Sequence, residues 1–286
     1  MKAINVFLLF LIFSLFFSCK EKNNIPTAQI IAQGEIPNLS VDNKNVIHLT
    51  YGKGDSILYS YSSDEGKTFS SPVLVDTIPS LFSFAMRGPQ IAAGNTTIVI
   101  IATDQKGNIF SWLKDASGKW MKNARINDVD TIAKEGLTAL GCDGNKNVVA
   151  VWLDLRNDKK NNLYGTRSED GGKTWSKNFM VYTSPDGHIC ECCKPSVTIN
   201  GKSVFVMFRN WVNGNRDLYL IKSSDGGATF GAAEKLGTGS WQLNGCPMDG
   251  GGLAITSDNI AATVWRRKNK IYACENGKDE KEIGEG

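Results

Sequence analysis

Three copies of one eight-residue signature constrain this chain more than any other feature. Each copy reads Ser-x-Asp-x-Gly-x-Thr-aromatic, and the copies span residues 62–69, 168–175 and 223–230. An Asp side chain can accept hydrogen bonds from the backbone of its own turn, and Gly adopts the positive φ that other residues resist. The Thr and the aromatic residue suit the start of a strand. The signature therefore predicts a tight turn between two β-strands, repeated three times.

The spacing of the signature aspartates gives the length of a repeating unit. Asp170 and Asp225 lie 55 residues apart, whereas Asp64 and Asp170 lie 106 apart. A degenerate copy at residues 114–120 fills the middle of the longer gap, and a further decayed copy is expected at 275–278. A period of roughly 50–55 residues is typical of one four-stranded β-propeller blade. The structural residues of the predicted turns are Asp64, Gly66, Asp170, Gly172, Asp225 and Gly227.

Every unit repeats one order of strands, which predicts an all-β fold, a β-propeller of four-stranded blades. Inner strands A are expected at 37–41, 89–93, 137–140, 195–199 and 252–256; strands B at 46–51, 98–103, 148–153, 204–209 and 260–266; strands C at 57–61, 108–113, 163–167, 218–222 and 270–274. An outer strand D follows each turn, and no helix is indicated. Five blades are visible. Either residues 29–32 close a five-bladed ring as a borrowed strand, or the ring has six blades and the chain is truncated.

The first 27 residues predict export and anchoring. A positively charged start precedes an apolar run at 7–17, which is too short for a membrane span. Residues 15–19 resemble a bacterial lipobox, which would make Cys19 the lipidated N-terminus; a plain secretory signal cleaved nearby is the alternative. The predicted organisation is a lipoprotein signal peptide at 1–18, a lipidated Cys and polar tether at 19–27, and a propeller at 28–286. The protein is expected in the cell envelope, lipid-anchored to the outer membrane or cell surface.

The charge of the chain argues against nucleic acid as a partner. Its 32 basic and 29 acidic residues give a net charge of +3, and nucleic-acid binding requires a concentrated basic face. We expect a monomer that contacts the membrane through its lipid anchor alone.

Blade geometry divides the loops between two faces. A–B turns and C–D turns share one face, so the signature turns are scaffold. B–C loops and the links between blades surround the channel mouth on the opposite face, where function is expected. The arginines on that face, together with one aspartate, are the candidate ligand-binding residues: Arg87, Arg156, Arg209, Arg266 and Asp249. Guanidinium groups bind carboxylates bidentately. The alternative is that these arginines pair with carboxylates at blade ends, such as Asp104, Asp154 and Asp217.

The signatures resemble the Asp-box (BNR) repeat of sialidases and related β-propellers, and residues 87–89 (Arg-Gly-Pro) resemble the sialidase Arg-Ile-Pro element. The resemblance implies that Arg87, Arg209 and Arg266 hold a substrate carboxylate. It also implies a proton donor and a glutamate that activates a tyrosine nucleophile. Asp104 is the candidate acid and Glu135 the candidate base.

The same resemblance leaves catalysis open. The nucleophilic tyrosine of the family lies late in the chain, and here Tyr272 is the late candidate, within a predicted strand C. The first hypothesis is a sialidase-like propeller that binds a glycan or other ligand at the channel mouth. The second is an active exo-α-sialidase, a glycoside hydrolase. The third makes a cysteine cluster the function, in metal binding or redox chemistry.

That cluster is Cys190-Glu191-Cys192-Cys193, preceded by His188 and joined by Cys246 from the next link. Four thiols and an imidazole suit a zinc site of four cysteines, a zinc site of three cysteines and one histidine, or a thiolate copper site. Apart from Cys19, six cysteines remain in an exported protein, which favours disulfides. Free or redox-active thiols are the third option. No cofactor is required by the sequence; zinc or copper at this cluster is the cofactor class to test.

Overall fold

The computed structural model describes residues 29–275 and 278–286. The predicted signal peptide and the whole of the lipidated Cys and tether segment at 19–27 lie outside the described residues, as do Asn276 and Gly277 of the expected fifth signature copy. Residues 31–286 form one compact unit.

The described residues form five four-stranded antiparallel sheets. Blade 1 contains β1 (Glu35–Val41), β2 (Ile47–Lys53), β3 (Ser56–Ser62) and β4 (Val73–Thr77). Blade 2 contains β5 (Gln90–Ala93), β6 (Ile98–Thr103), β7 (Ile109–Lys114) and β8 (Trp120–Arg125). Blade 3 contains β9 (Thr138–Cys142), β10 (Val148–Asp154), β11 (Asn162–Ser168) and β12 (Phe179–Tyr182). Blade 4 contains β13 (Ser196–Asn200), β14 (Ser203–Arg209), β15 (Leu218–Ser223) and β16 (Glu234–Lys235). Blade 5 contains β17 (Gly252–Ile255), β18 (Ala261–Arg267), β19 (Lys270–Glu275) and β20 (Lys278–Glu285).

The predicted all-β propeller is therefore confirmed, and each predicted A, B and C strand is present within two residues of its expected bounds. No described residue belongs to a helix, and hence no helix in the described ranges has the length and apolarity to cross a membrane. The prediction that residues 29–32 form a borrowed strand is wrong, because β1 begins at Glu35 and residues 29–34 belong to no strand.

The inner strands of consecutive blades pack side by side in the order β1, β5, β9, β13, β17. They line a channel with a volume of about 480 Å³, to which β17 contributes only Leu253. Side chains from blade 1 bind the neighbouring inner strand: Asn38 Oδ1 accepts a hydrogen bond from the Ile91 backbone N–H (2.8 Å), and Ser40 Oγ accepts one from Ala93 (3.0 Å). Polar side chains on strand A thus join blades that share no sheet.

The core lies between blades, and β10 shows why its sequence is continuously apolar. Val149, Val151 and Leu153 pack against blade 4, in the cluster that includes Val204, Val206 and Phe208. The alternating residues Val148, Ala150 and Trp152 pack against blade 2, in the cluster that includes Val99, Ile101 and Ile109. Side chains alternate between the two faces of a strand, so a sheet covered on both faces needs apolar residues at every position.

The signature turns are held by hydrogen bonds within a few residues. Asp64 Oδ1 accepts from Ser62 Oγ (2.7 Å) and from the Thr68 backbone N–H (2.9 Å), and Asp64 Oδ2 accepts from Thr68 Oγ1 (2.6 Å). Asp170 and Asp225 repeat the same bonds within 0.1 Å. The Thr68 hydroxyl and N–H lower the pKa of Asp64 to about 2.

Glycine is required in these turns by geometry and space. Gly172 has φ +88°, and a Cβ there would lie 2.6 Å from Val99 Cγ2. The turns share a face with the A–B turns, as predicted, because the Gly171 N–H donates to Lys146 O and the Gly226 N–H to Lys202 O. In the degenerate copy, Asp115 Oδ1 accepts from Ser117 and Lys119, which preserves the turn without the Thr.

Candidate functional site at the channel mouth

The channel mouth is the face opposite the signature turns, formed by the B–C loops and by the links at residues 78–89, 126–137, 183–195 and 236–251. All the candidate residues lie on or beside it. They fall into separate groups, each built by contacts between blades.

A strained turn in the link before blade 2 presents Arg87. Phe84 and Arg87 exchange both backbone hydrogen bonds at 2.9 Å, and between them Ala85 and Met86 have φ +45° and +70°. Such a turn usually carries Asn or Gly, because side chains resist positive φ. Strain of this kind persists where the surrounding structure imposes it, and it is concentrated at functional sites. The sequence Ala-Met carries no turn signal, so sequence reasoning missed this feature.

The Arg87 guanidinium is positioned by contacts that use only part of its donor capacity. Its Nε donates to Glu135 O and its Nη1 to Ala85 O, whereas Nη2 lies 3.6 Å from Glu135 Oε2. The guanidinium carbon is 6.0 Å from the ring centres of both Phe82 and Phe84. Phe84 is 47% exposed. A guanidinium has five N–H groups, so three of them make no hydrogen bond to any described residue.

Arg209 and Arg266 converge on Asp249. Arg209 Nε and Nη2 donate to Asp249 Oδ1 at 3.1 and 2.8 Å, and Arg266 Nε donates to Asp249 Oδ2 at 3.2 Å. Arg209 also donates to the carbonyls of Arg216 and Arg266, and it is only 2% exposed. Its side chain is thus almost fully bonded within the protein. Arg87 belongs to a different group, so the three arginines do not share one carboxylate partner.

Arg156 forms a third group in the B–C loop of blade 3. Its guanidinium donates to both carboxylate oxygens of Asp154 (2.9 Å each) and to Asp128 (3.0 Å), and it lies 4.3 Å from the Tyr164 ring centre. The pairing with Asp154 agrees with the blade-end alternative considered from the sequence.

The other predicted catalytic residues have structural partners. Asp104 is buried, and its carboxylate accepts hydrogen bonds from the backbone and side chain of Asn108. Glu135 lies beside Arg87, with Oε2 3.6 Å from Arg87 Nη2. Tyr272 stacks on Trp265 and lies under the Arg267 guanidinium, 3.9 Å away, within the sheet of blade 5. The catalytic roles of these residues remain predictions.

Lys194 links the first residue of β5 to the Asp249 group, and sequence reasoning missed it. Its Nζ donates to Gln90 Oε1 at 2.6 Å, across from blade 4 to blade 2, and its backbone N–H donates to Asp249 O at 3.0 Å. Burial lowers the pKa of Lys194 to about 8. The one available signal was its position directly before a predicted strand A.

The cysteine cluster lies beside Asp249. Cys192 and Cys246 form a disulfide with a Cα–Cα distance of 6.2 Å, in agreement with the disulfide alternative for the cluster. Cys190 Sγ lies 3.3 Å from Cys193 Sγ, and both residues are buried. His188 is placed elsewhere: its ring stacks on Trp211, and its Nδ1 lies 3.1 Å from Ile189 O.

Several solved structures share the fold of this chain. No protein-family model matches the sequence. A variant of the Aleuria aurantia lectin bound to α-methyl-L-fucoside has a TM-score of 0.60 at 10% identity, over 90% of this chain and 80% of the lectin. The α-L-arabinofuranosidase of Fusarium graminearum in complex with an iminosugar has a TM-score of 0.56 at 11% identity, over 87% and 80%. A Hadza microbial sialidase has a TM-score of 0.51 at 15% identity, over 80% and 49%. The chain therefore has the β-propeller fold found in these carbohydrate-binding and carbohydrate-cleaving proteins.

Proposed function

We propose that this protein is a sialidase-like Asp-box propeller that binds carbohydrate at the channel mouth, through Arg87, Glu135 and Phe84. The observation that carries the proposal is the spare donor capacity of Arg87 beside an exposed ring. Sugars present hydroxyl groups that bond to charged donors and acceptors, and C–H faces that pack on aromatic rings. Arg87 supplies charged donors, Glu135 supplies charged acceptors, and Phe84 supplies an aromatic ring for the sugar to pack on.

The bonding of the other arginines favours binding over sialic acid hydrolysis. A carboxylate-binding triad needs three guanidinium groups able to receive the same ligand. Arg209 is buried and directs its donors to Asp249 and to two carbonyls, so it has little capacity for an external carboxylate. An exo-α-sialidase remains the alternative that the experiment must exclude.

The export signal and the lipid anchor at Cys19 complete the proposal, although they rest on the sequence. An envelope location would expose the channel mouth to glycans outside the cell. The partner proposed is thus an external carbohydrate, bound by a monomeric, lipid-anchored chain.

The test is a glycan-array screen of the full chain in detergent, followed by affinity measurement on the best ligand. Arg87→Ala and Glu135→Gln are each expected to weaken binding about tenfold or more, because each removes a charge-assisted hydrogen bond. Arg167→Ala is the matched control, since Arg167 pairs with Glu169 on the signature-turn face. Binding that survives Arg87→Ala, or that Arg167→Ala weakens equally, would overturn the assigned site.

A fluorogenic sialoside distinguishes carbohydrate binding alone from exo-α-sialidase activity. We expect no turnover by the wild-type chain. Turnover that is lost in Arg87→Ala would establish the exo-α-sialidase instead.

A further inference from the structure

Three sulfur atoms of the cysteine cluster have a spacing close to that of ligands in a tetrahedral metal site. The Sγ atoms of Cys190, Cys192 and Cys193 all lie within 4.8 Å of one another. Cys190 Sγ is 3.7 Å from Cys192 Sγ and 3.3 Å from Cys193 Sγ, and Cys246 adds a fourth sulfur through its disulfide to Cys192. Thiolates bound to zinc at about 2.3 Å are separated by about 3.8 Å along each edge of the tetrahedron.

The two segments that carry these sulfurs are fixed by the backbone. The Cys190 N–H donates to Arg209 O at 3.1 Å, at the end of β14, and the Ile189 N–H donates to Asn161 O. Lys194 forms a parallel bridge with Gly250, three residues after Pro247. The link before blade 4 and the link before blade 5 are thus joined independently of the disulfide, so the segments that carry the cysteines stay side by side when the disulfide is reduced.

The charges around the cluster suit an anion. Arg216 Nη1 lies 3.0 Å from Cys190 Sγ, and Arg209 and Arg266 both donate to Asp249. Cys193 Sγ lies 3.5 Å from the same Asp249 carboxylate. Three guanidinium groups therefore face Asp249 and one further carboxylate, Glu191, whose side chain is 46% exposed. Arg209 and Arg216 are buried. Buried positive charge requires compensation, and a metal–thiolate centre, which carries net negative charge, would supply it.

We propose that Cys190, Cys192, Cys193 and Cys246 bind one thiophilic d10 cation, Zn²⁺ or Cu⁺, once the Cys192–Cys246 disulfide is reduced. A dithiol reduces the disulfide to two thiols and is itself oxidised to a disulfide. Each cysteine that then binds the cation releases its proton to solvent. Zn²⁺ and Cu⁺ share the preference for thiolate ligands, and separate titrations distinguish them.

The experiment uses the full chain, reduced with a dithiol and desalted without oxygen or chelator. It is titrated separately with Zn²⁺ and with Cu⁺, and metal content is measured per chain. Alkylation with mass-spectrometric readout then locates the protected cysteines. We expect one cation per chain and protection of Cys190, Cys192, Cys193 and Cys246, a result that needs no variant. Co²⁺ is expected to give the intense thiolate-to-metal absorption of a tetrahedral site.

Variants add a second measurement. Cys190→Ser and Cys193→Ser are expected to lose stoichiometric binding, whereas Cys142→Ser is expected to retain it, because Cys142 lies in β9 and its Sγ contacts Ala93 O. Three outcomes would overturn the proposal: no cation bound by the reduced chain, binding without protection of the four cysteines, or a second disulfide between Cys190 and Cys193 that forms in preference to metal binding.

Discussion

The two faces of the propeller are built by opposite kinds of contact. In the signature turns, each aspartate bonds to residues two and four positions away. At the channel mouth, Arg209 reaches Asp249 across 40 residues, Arg87 reaches Glu135 across 48, and Lys194 reaches Gln90 across 104. The turn face is specified by local sequence, whereas the mouth exists only after the blades have assembled.

The turn face and the channel mouth also differ in the burial of their polar contacts. The Thr68–Asp64 bonds are exposed to solvent, while Arg209 at the mouth is buried. An exposed hydrogen bond competes with water and contributes little, but a buried charge that loses its partner has no substitute. We therefore expect mutations at the mouth to destabilise the protein more than mutations in the turns.

Asp249→Ala is predicted to have the largest effect on stability. It leaves Arg209 buried without its carboxylate and removes a partner of Arg266. Breaking a buried pair on one side costs about 3–5 kcal/mol, which urea denaturation of the full chain would measure.

Arg266→Ala serves as its control, because the Arg266 side chain is 32% exposed and Asp249 retains Arg209 in this variant. The decrease in the free energy of unfolding should be clearly smaller for Arg266→Ala than for Asp249→Ala. Equal losses for Asp249→Ala and for Asp225→Ala in a signature turn would break the comparison between the faces.

Gly172→Ala is predicted to have the largest effect within the turns. The variant combines a positive φ with a Cβ only 2.6 Å from Val99 Cγ2 in the core. Positive φ and overpacking together are expected to cost about 2–4 kcal/mol. Gly201→Ala is the matched control, since Gly201 has φ +56° and a Cβ added there would have no atom within 4 Å. This variant should lower the free energy of unfolding by about 1 kcal/mol. Similar losses in the two variants would show that space around the turn is unimportant.

The smallest predicted effect is the pH dependence contributed by Asp64. Its pKa falls from 3.8 to about 2 on folding, so between these values the unfolded chain binds more protons than the folded one. The stabilisation from Asp64 is complete above about pH 4 and is lost as the pH falls toward 2. Asp64→Asn should therefore flatten the unfolding free energy against pH across that window.

Glu65→Gln provides the control for that slope, because Glu65 is the adjacent exposed carboxylate and its ion-pair partner is Lys67 at 3.5 Å. A slope unchanged by Asp64→Asn, or equally flattened by Glu65→Gln, would contradict the assignment to the turn.

The strands were predictable because each blade carries local signals. The apolar run of β10 and the signature after β11 lie within one stretch of chain, and blades 1 and 4 carry the same signature after their third strand. The site at the channel mouth was only partly predictable from the sequence.

Sequence reasoning placed Arg87 and Asp249 at the mouth, but it could not choose between a ligand and a protein carboxylate as the partner of Arg209. It also missed the Ala85–Met86 turn and Lys194, because their conformation and partners depend on other blades.

The sequence by itself determined the repeat, the strand order and the face on which each loop lies, because these follow from hydrogen bonds and side-chain alternation over a few residues. Tertiary structure alone decided which charges neutralise one another. Asp249 is a neighbour of Arg209 only because blades 4 and 5 pack together, and the four sulfurs meet only because two links run side by side. Charge pairing and thiol proximity depend on distances between segments that no local pattern encodes.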